Sequence, residues 1–183
     1  MTDYLLTEKL ALIKLFAMDV DGTFTDGTLY YDSKGEVIKG FSSADGMGIE
    51  LLHRMGIKRG FISGRTDVAT KTRAEYLDVD FYLPSIGDKS VALRNLAEKY
   101  NITLDECLYM GDDLNDITAL QIAGVSVTVA NANTSVKRFT QIVTEKEGGR
   151  GAVREVVDLI LETQGIDPVT LWMSDKDRPV GMQ

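Results

Sequence analysis

Two acidic residues follow the first strongly apolar run of the chain. The sequence DVDGT occupies residues 19–23, directly after the run 13–18. In an extended strand alternate side chains share one side, so Asp19 and Asp21 would face the same way, and Gly22 would let the chain turn at once. Two carboxylates would thus converge at the carboxyl end of a strand, which is where ligands commonly bind in open α/β sheets.

A second acidic cluster, GDDLND at residues 111–116, follows the apolar run 107–110. In a parallel sheet both strands end at the same edge, so Asp112 can approach Asp19. Carboxylates about 4 Å apart repel by roughly 4 kcal/mol at an effective dielectric constant near 20, so they need a counter-charge. With one His and one Cys in the chain, oxygen ligands favour Mg²⁺ over zinc. Alternatively, each cluster caps a helix or closes a turn, and this role alone is enough to explain Asp113 and Asn115.

Two further segments supply groups that can bind an anion. Ser63 follows the apolar run 57–62 with Gly64 and Arg65 after it, and this places a hydroxyl and backbone N–H groups near a helix start. Lys89 opens a later helical pattern. Taken singly, Ser63 is explained as a helix cap and Lys89 as a solvated surface charge; their combination with the acidic clusters favours an anion site.

Short apolar runs alternate with helical patterns, which predicts an α/β fold with a parallel sheet and helices on both faces. The predicted strands are residues 13–20, 57–62, 81–83, 107–110, 125–129 and 142–143. The predicted helices are residues 46–55, 66–77, 89–100, 113–123 and 152–163.

The segment between the first strand and the first helix predicts a projecting β-hairpin over about residues 27–41, with a polar turn at 32–35. No linker divides the chain, so we expect one domain over residues 1–165 and a tail over 166–183. The tail is either a disordered end or a segment whose Leu171, Trp172 and Met173 dock on a neighbouring subunit.

Composition excludes several classes of protein. The net charge of −8 opposes binding to nucleic acid. No signal peptide or uncharged membrane-spanning stretch is evident, so a cytoplasmic protein with no membrane partner is expected. The single cysteine, Cys107, lies in an apolar strand and is expected to be inert.

Taken in chain order, the four segments resemble the first to fourth motifs of the haloacid dehalogenase superfamily of phosphotransferases: residues 19–23, the strand that ends in Ser63, Lys89 at the head of a helix, and residues 111–116. The resemblance implies a Rossmann-like three-layer fold and the following roles. Asp19 would be the nucleophile, Asp21 the general acid and base, and Ser63 and Lys89 the residues that bind the transferred phosphoryl group. Mg²⁺ would be held by Asp19, Asp112 and the main-chain oxygen of Asp21.

The spacing of the motifs leaves no room for a separate cap domain. In this respect the chain resembles the small capless branch that includes the octulosonate 8-phosphate phosphatases. The run 148–155, GGRGAVRE, resembles the C-terminal signature of that branch. The resemblance implies hydrolysis of the eight-carbon sugar-acid phosphate during synthesis of lipopolysaccharide precursors, by a homotetramer in which hairpins pack together and neighbouring subunits complete each site.

The same resemblance implies a set of substrate contacts: Ser42, Ser43, Ala44, Asp45, Gly46, Arg65, Arg73 and Lys89, with Asp21. Arg73 is equally well explained as an exposed helix residue. The run 42–46, SSADG, departs from the usual Asn-Val-Arg-Asp-Gly, and Glu50 stands where a basic contact is often found. These departures leave a nine-carbon keto-acid 9-phosphate of the sialic-acid type as an alternative substrate. A non-catalytic regulatory or assembly protein and a phosphomutase also stay open as hypotheses; Asp19 and Asp21 argue against the first and the missing cap against the second.

Overall fold

A six-stranded parallel sheet forms the centre of the protein. The computed structural model describes residues 4–174 of the 183-residue chain. The strands of the sheet are β1 (Leu15–Met18), β4 (Lys58–Ile62), β5 (Phe81–Leu83), β6 (Cys107–Met110), β7 (Val125–Thr128) and β8 (Ile142–Val143). They are hydrogen-bonded in the order β5-β4-β1-β6-β7-β8, and every pair is parallel. The predicted α/β class with a Rossmann-like parallel sheet is confirmed, and β1 lies between β4 and β6.

Helices cover both faces of the sheet and give three layers. One face packs against α1 (Tyr4–Ala11), α2 (Ser43–Arg54), α3 (Val68–Tyr76) and α7 (Ala152–Thr163). The other packs against α4 (Lys89–Tyr100), α5 (Ile117–Leu120) and α6 (Thr134–Lys137). Alternate residues of β1 supply the two cores, since Phe16 and Met18 belong to the first and Leu15 and Ala17 to the second.

Most predicted elements are present, some with shorter bounds. The segment 113–123 differs, because it forms a 3₁₀ turn (Leu114–Asp116) before the four-residue helix α5. The Asp113 side chain accepts a hydrogen bond from Leu114 N at 2.8 Å, while Asp116 Oδ2 accepts from Asp113 N at 3.1 Å. These side-chain bonds compete with regular helical ones and shorten the helix.

The predicted hairpin is formed by β2 (Tyr30–Tyr31) and β3 (Val37–Ile38), which pair antiparallel. Asp32 Oδ1 accepts hydrogen bonds from Lys34 N and Glu36 N, both at 2.8 Å, and closes the turn. Within residues 4–174, the segments after the strands at the carboxyl edge contain no folded insertion except this hairpin. The fold therefore has no separate cap domain in its described part.

The beginning of the tail packs on its own chain. Residues Pro168–Ser174 form α8, in which Leu171 contacts the core beneath α2. Arg54 Nη1 donates to Trp172 O at 3.0 Å, and its guanidinium lies 4.2 Å from the centre of the Trp172 ring. The expectation of a disordered end is wrong for residues 168–174, because they form a helix that packs on α2 of the same chain. Docking of Leu171, Trp172 and Met173 on a neighbouring subunit stays a prediction. The rest of the tail, 175–183, lies outside the described residues.

None of the helices in the described part of the chain has the length and apolar character needed to cross a membrane.

Candidate active site

The strand register brings the predicted motifs to one edge of the sheet. Met18 pairs with Phe61 in β4 and with Met110 in β6. Asp19 therefore leaves β1 next to the strand ends that lead to Ser63 and Asp112, and Asp19 N donates to Met110 O at 2.9 Å. The predicted convergence of the first, second and fourth motifs follows from this register.

The turn after β1 is shaped around Asp112. Gly22 has φ +98°, and a Cβ atom at this position would overlap the Asp112 carboxylate. Thr23 Oγ1 donates a hydrogen bond of 2.8 Å to Asp112 Oδ1. Gly22 thus provides both the left-handed backbone and the space, and Thr23 orients the carboxylate.

Three carboxylates form a group whose oxygen atoms lie within 4.8 Å of one another: Asp19, Asp112 and Asp116. Burial, together with the negative charge of Asp116, raises the pKa of Asp19 to about 6, although Lys89 lowers it. Burial also raises the pKa of Asp112 to about 7, although the Thr23 hydrogen bond lowers it. Neighbouring carboxyl groups in this condition need a counter-charge to ionise, so this donor set fits a hard divalent cation such as Mg²⁺.

Lys89 is the cation that the fold itself supplies to this group. It begins α4 after Asp88, whose side chain caps the helix by accepting from Ser90 N at 2.9 Å. Lys89 is fully buried, with Nζ at 2.7 Å from Asp19 Oδ1 and 2.6 Å from Asp116 Oδ1. Burial alone would lower its pKa, but the two carboxylates outweigh burial and raise it. The alternative of a solvated surface lysine is wrong.

Asp116 is a site residue that the sequence reasoning did not select. Its Oδ1 also accepts a hydrogen bond from the buried Tyr109 hydroxyl at 2.7 Å, and its Oδ2 accepts from Asp112 N at 3.0 Å. With its oxygens used in this way, Asp116 holds Lys89 and the start of the fourth motif in place. Asp19 and Asp112 are left as the carboxylates best placed to hold the metal.

Asp21 faces a different basic residue. Its Oδ1 lies 2.7 Å from Nζ of Lys39, which follows the hairpin strand β3 and whose side chain has no exposed surface. Lys39 also lies 2.7 Å from Asp67 Oδ2. The Asp21 carboxylate is thus engaged away from the acidic group, which is consistent with a metal contact through its main-chain oxygen only. Lys39 and Asp67 were missed in the sequence, where no local pattern marks them.

Ser63 and Arg65 both follow β4 at the same edge. Ser63 is buried, and its hydroxyl accepts a hydrogen bond from Arg65 N at 3.1 Å. The alternative of a helix cap is wrong, because Asp67 caps the helix that follows, α3. The Arg65 guanidinium is half exposed, with Nε 3.9 Å from Asp21 Oδ2 and Nη2 3.5 Å from the Tyr31 hydroxyl of the hairpin. Arg65 therefore presents a partly exposed cation beside Asp21 at the edge of the candidate site.

The start of α2 has a mixed role. Ser42 caps the helix by accepting from Asp45 N at 3.3 Å, while Ser43 and Ala44 are exposed. Asp45 is buried, and its two oxygens accept from Gly151 N at 3.0 Å and Arg154 N at 2.9 Å, at the start of α7. Its side chain therefore joins two helices, and the structure does not present it to a substrate.

Two other residues considered from the sequence, Arg73 and Glu50, lie beneath the surface at the start of α2. The Arg73 guanidinium occupies the space that a side chain at Gly46 would need, and it lies 5.8 Å from the Phe41 ring centre. Burial lowers the pKa of Arg73. Glu50 is buried and pairs with Arg54 at 2.8 Å. This ion pair within α2 explains why an acidic residue is accommodated there.

Comparisons with known proteins support the resemblance to the haloacid dehalogenase superfamily. A family model of haloacid dehalogenase-like hydrolases matches residues 83–156. The 3-deoxy-D-manno-octulosonate 8-phosphate phosphatase KdsC of Haemophilus influenzae is 37% identical over 158 residues, which cover 86% of this chain and 88% of the relative. The KdsC protein of Escherichia coli K12 is 37% identical over 84% of this chain and 81% of its own length.

Solved structures agree with the sequence comparison. The octulosonate 8-phosphate phosphatase of Moraxella catarrhalis, solved with magnesium, phosphate and KDO, is 40% identical and superposes with a TM-score of 0.85 over 87% of this chain and 92% of its own. The cobalt-bound H. influenzae enzyme is 36% identical, with a TM-score of 0.85 over 90% and 99% of the two chains. On this identity across most of both sequences, the chain belongs to the 3-deoxy-D-manno-octulosonate 8-phosphate phosphatase family of haloacid dehalogenase-like hydrolases.

Proposed function

We propose that the protein is a Mg²⁺-dependent phosphatase that hydrolyses 3-deoxy-D-manno-octulosonate 8-phosphate to the free sugar acid and phosphate. The observation that carries this proposal is that Asp19 contacts buried Lys89 and belongs to the group of three carboxylates that could hold a metal ion at the carboxyl edge of the sheet. Membership of a family of such phosphatases supports the choice of substrate.

In the first half-reaction, an Asp19 oxygen forms a bond to phosphorus while the bond from phosphorus to the sugar oxygen breaks. The product is an aspartyl-phosphate on Asp19. Lys89 and the Ser63 hydroxyl bind the phosphoryl oxygens, whose charge would otherwise repel the nucleophile. Asp19, Asp112 and the main-chain oxygen of Asp21 would hold Mg²⁺, which would supply the remaining positive charge.

Asp21 serves both half-reactions. It gives a proton to the departing sugar oxygen, and it then takes a proton from the water that attacks the aspartyl-phosphate. Asp19 and Asp21 lie against different lysines, Lys89 and Lys39.

The substrate enters past the exposed groups at the edge of the site. Arg65 supplies a cation for the sugar carboxylate or phosphate, and the exposed Ser43 and Ala44 line the surface beside Gly46. Arg73 supports this surface from below. The Asp45 carboxylate contributes by holding α2 against α7.

Assembly and organisation remain part of the proposal. We infer a homotetramer in which the hairpins pack together, and the exposure of Tyr30, Tyr31 and Ile38 at 60%, 61% and 55% supports this use of the hairpin. One phosphatase domain over residues 1–165 is likewise proposed, with α8 packed on it. The cytoplasmic location stays a prediction.

Phosphate release in the presence of Mg²⁺ tests the function. The panel contains the eight-carbon acid phosphate, a nine-carbon keto-acid 9-phosphate and simple hexose phosphates. Strong preference for the eight-carbon compound supports the proposal, whereas preference for the nine-carbon compound reassigns the specificity to the run 42–46. If neither the wild type nor its Asp19→Asn variant releases phosphate from any compound, the result would favour the non-catalytic alternative.

A further inference from the structure

Two lysines are buried among the residues that the structure describes, and each contacts one carboxylate of the first motif. Lys89 pairs with Asp19 and Lys39 pairs with Asp21, both at 2.7 Å. Burial of an ammonium group is costly unless it is paired and hydrogen-bonded. The role of Lys89 follows from the phosphoryl site, whereas Lys39 has no role in the function proposed above.

Three side-chain oxygens lie around the Lys39 ammonium group, two as hydrogen-bond acceptors and Asp21 Oδ1 as an ion-pair partner. Besides Asp21 Oδ1, Nζ contacts Asp67 Oδ2 at 2.7 Å and Thr70 Oγ1 at 3.1 Å. An ammonium group has three N–H donors, and three oxygens surround it here. Its position is therefore determined by the two ends of a bridge, Asp21 on one side and the start of α3 on the other.

Asp67 anchors this bridge to the fold. It caps α3 by accepting from Thr70 N at 2.7 Å through Oδ1, and its Oδ2 accepts from Thr70 Oγ1 at 3.0 Å. The carboxylate that holds Lys39 is thus itself held by the first turn of a helix. The bridge therefore connects the Asp21 side chain to the first turn of α3.

The two oxygens of Asp21 are consequently different. Oδ1 forms the ion pair with Lys39 at 2.7 Å, whereas Oδ2 lies 3.9 Å from exposed Arg65 Nε, and neither oxygen has a hydrogen-bond partner among residues 4–174. Proton transfer to a leaving group requires an oxygen that is free and correctly directed. Oδ2 is the oxygen that meets this requirement.

We propose that Lys39 is a positioning residue that fixes the Asp21 carboxylate so that Oδ2 performs the proton transfers of the reaction. This inference rests on the proposed acid and base role of Asp21. As the ester bond breaks and the Asp19 oxygen bonds to phosphorus, the proton on Oδ2 passes to the departing sugar oxygen. When water attacks the aspartyl-phosphate, its proton passes to Oδ2 as the bond from Asp19 to phosphorus breaks.

Dependence on the leaving group distinguishes this role from a structural one. The departing alkoxide of a sugar-acid phosphate needs a proton, whereas p-nitrophenolate departs without one. The ratio kcat/KM reports steps up to release of this leaving group. We expect Lys39→Met, which removes the charge but keeps a long side chain, to lower kcat/KM for the sugar-acid phosphate about 100-fold. For p-nitrophenyl phosphate we expect a loss below about fivefold, since positioning of the acid matters little there.

Two reference variants make the result interpretable. Asp21→Asn should show the same selective loss, because it removes the proton donor itself. Lys58→Met removes another lysine that pairs with an aspartate at 2.7 Å, Asp80, and should leave both substrates unaffected. Equal losses on both substrates with Lys39→Met, or no loss, would overturn the proposal.

A second variant covers the possibility that Lys39→Met does not fold. Asp67→Asn keeps a good helix-capping side chain but weakens the anchor of Lys39, and we expect a selective loss of about tenfold on the sugar-acid phosphate, the size typical of an indirect contact at a site. Wild-type protein that releases no phosphate from the panel would refute the proposed function. Active wild type with an unselective Asp67→Asn variant would refute only the role of Lys39.

Discussion

The ammonium group of Lys89 lies 2.7 Å from Asp19 Oδ1, and no part of Lys89 is exposed. The proposed nucleophile, Asp19, is therefore paired inside the protein in the absence of substrate. The same ammonium group contacts Asp116, which ties α4 to the fourth motif. Lys89 therefore contacts both the proposed nucleophile and the residue that holds the segment 111–116 in place.

Replacement of Lys89 by Met should damage both properties. It leaves Asp19 and Asp116 without their shared cation, and loss of one partner from a buried ion pair typically costs about 3–5 kcal/mol of unfolding free energy. We also expect kcat to fall at least about 100-fold, since a cation on the phosphoryl group is lost. Urea unfolding and phosphate release measure the two effects. Lys14→Met is the control, because Lys14 pairs with Glu106 at the surface; a Lys89→Met variant that matched this control would contradict the assignment.

The hydrogen bond from Thr23 to Asp112 predicts a specific effect on metal binding. Thr23→Val removes the donor at 2.8 Å from Asp112 Oδ1 and keeps the shape of the side chain. Loss of a group that orients a metal ligand typically weakens binding about 10- to 100-fold. We therefore expect the Mg²⁺ concentration for half-maximal activity to rise by that factor, with kcat at saturating Mg²⁺ little changed. Thr23→Ser should retain wild-type activation, and a Thr23→Val variant with unchanged Mg²⁺ dependence would show that Thr23 is not involved.

The acidic group also predicts how pH and Mg²⁺ act on stability. Burial raises the pKa of Asp19 to about 6 and that of Asp112 to about 7, from ordinary values of 3.8. Carboxyl groups with raised pKa bind protons more tightly when folded, so their stabilising contribution is present below about pH 4 and is lost as the pH rises through 6 and 7. We expect protein prepared with EDTA to lose stability from about pH 5 to pH 8.

Mg²⁺ should reverse that loss, because it compensates the charges that appear as the protons leave. The increase in Tm on addition of Mg²⁺ should be larger at about pH 8 than at about pH 5.5. An Asp112→Asn variant should show a smaller difference between the two pH values. Equal increases in the wild type at both pH values would contradict the proposed electrostatics.

Local patterns in the sequence predict the architecture and the principal motifs well. The strand 107–110 and the helices 89–100 and 152–163 have the predicted bounds, because apolar periodicity reflects burial directly. Parallel pairing then brings Asp19 and Asp112 together. These inferences need only the strand ends and the direction of pairing.

The contacts that complete the site depend on long-range packing. Lys39 stands in a polar hairpin and Asp67 at an ordinary helix start, and only the folded hairpin brings Lys39 to both Asp21 and Asp67. Asp45 illustrates the reverse case, since its neighbours in sequence suggest a substrate contact while its partners lie more than a hundred residues away, at Gly151 and Arg154. No local pattern carries this information.

The glycine pair at residues 148 and 149 predicts a stability effect. A Cβ atom on Gly148 would overlap the Gly22 carbonyl oxygen, which is backbone and cannot move aside easily. We expect Gly148→Ala to destabilise the protein by more than about 2 kcal/mol, as strained or overpacked sites do. Gly40→Ala is the control, because its Cβ meets nothing within 4 Å. Chemical denaturation compares the two variants, and equal stability would show that the loop at 148–151 can relax away from the first motif.

The hairpin provides a test of the proposed tetramer. Tyr30 and Ile38 are directly opposite in the hairpin and share one exposed face. If this face packs against other hairpins, the double variant Tyr30→Asp with Ile38→Asp would bury charges at the interface and should dissociate the assembly. Light scattering coupled to chromatography should then give the mass of a smaller species, with lower activity if neighbouring subunits complete each site. Tyr4→Asp changes a more exposed tyrosine on α1, 79% accessible, and should leave mass and activity unchanged. A wild type that is monomeric and fully active would exclude the shared site.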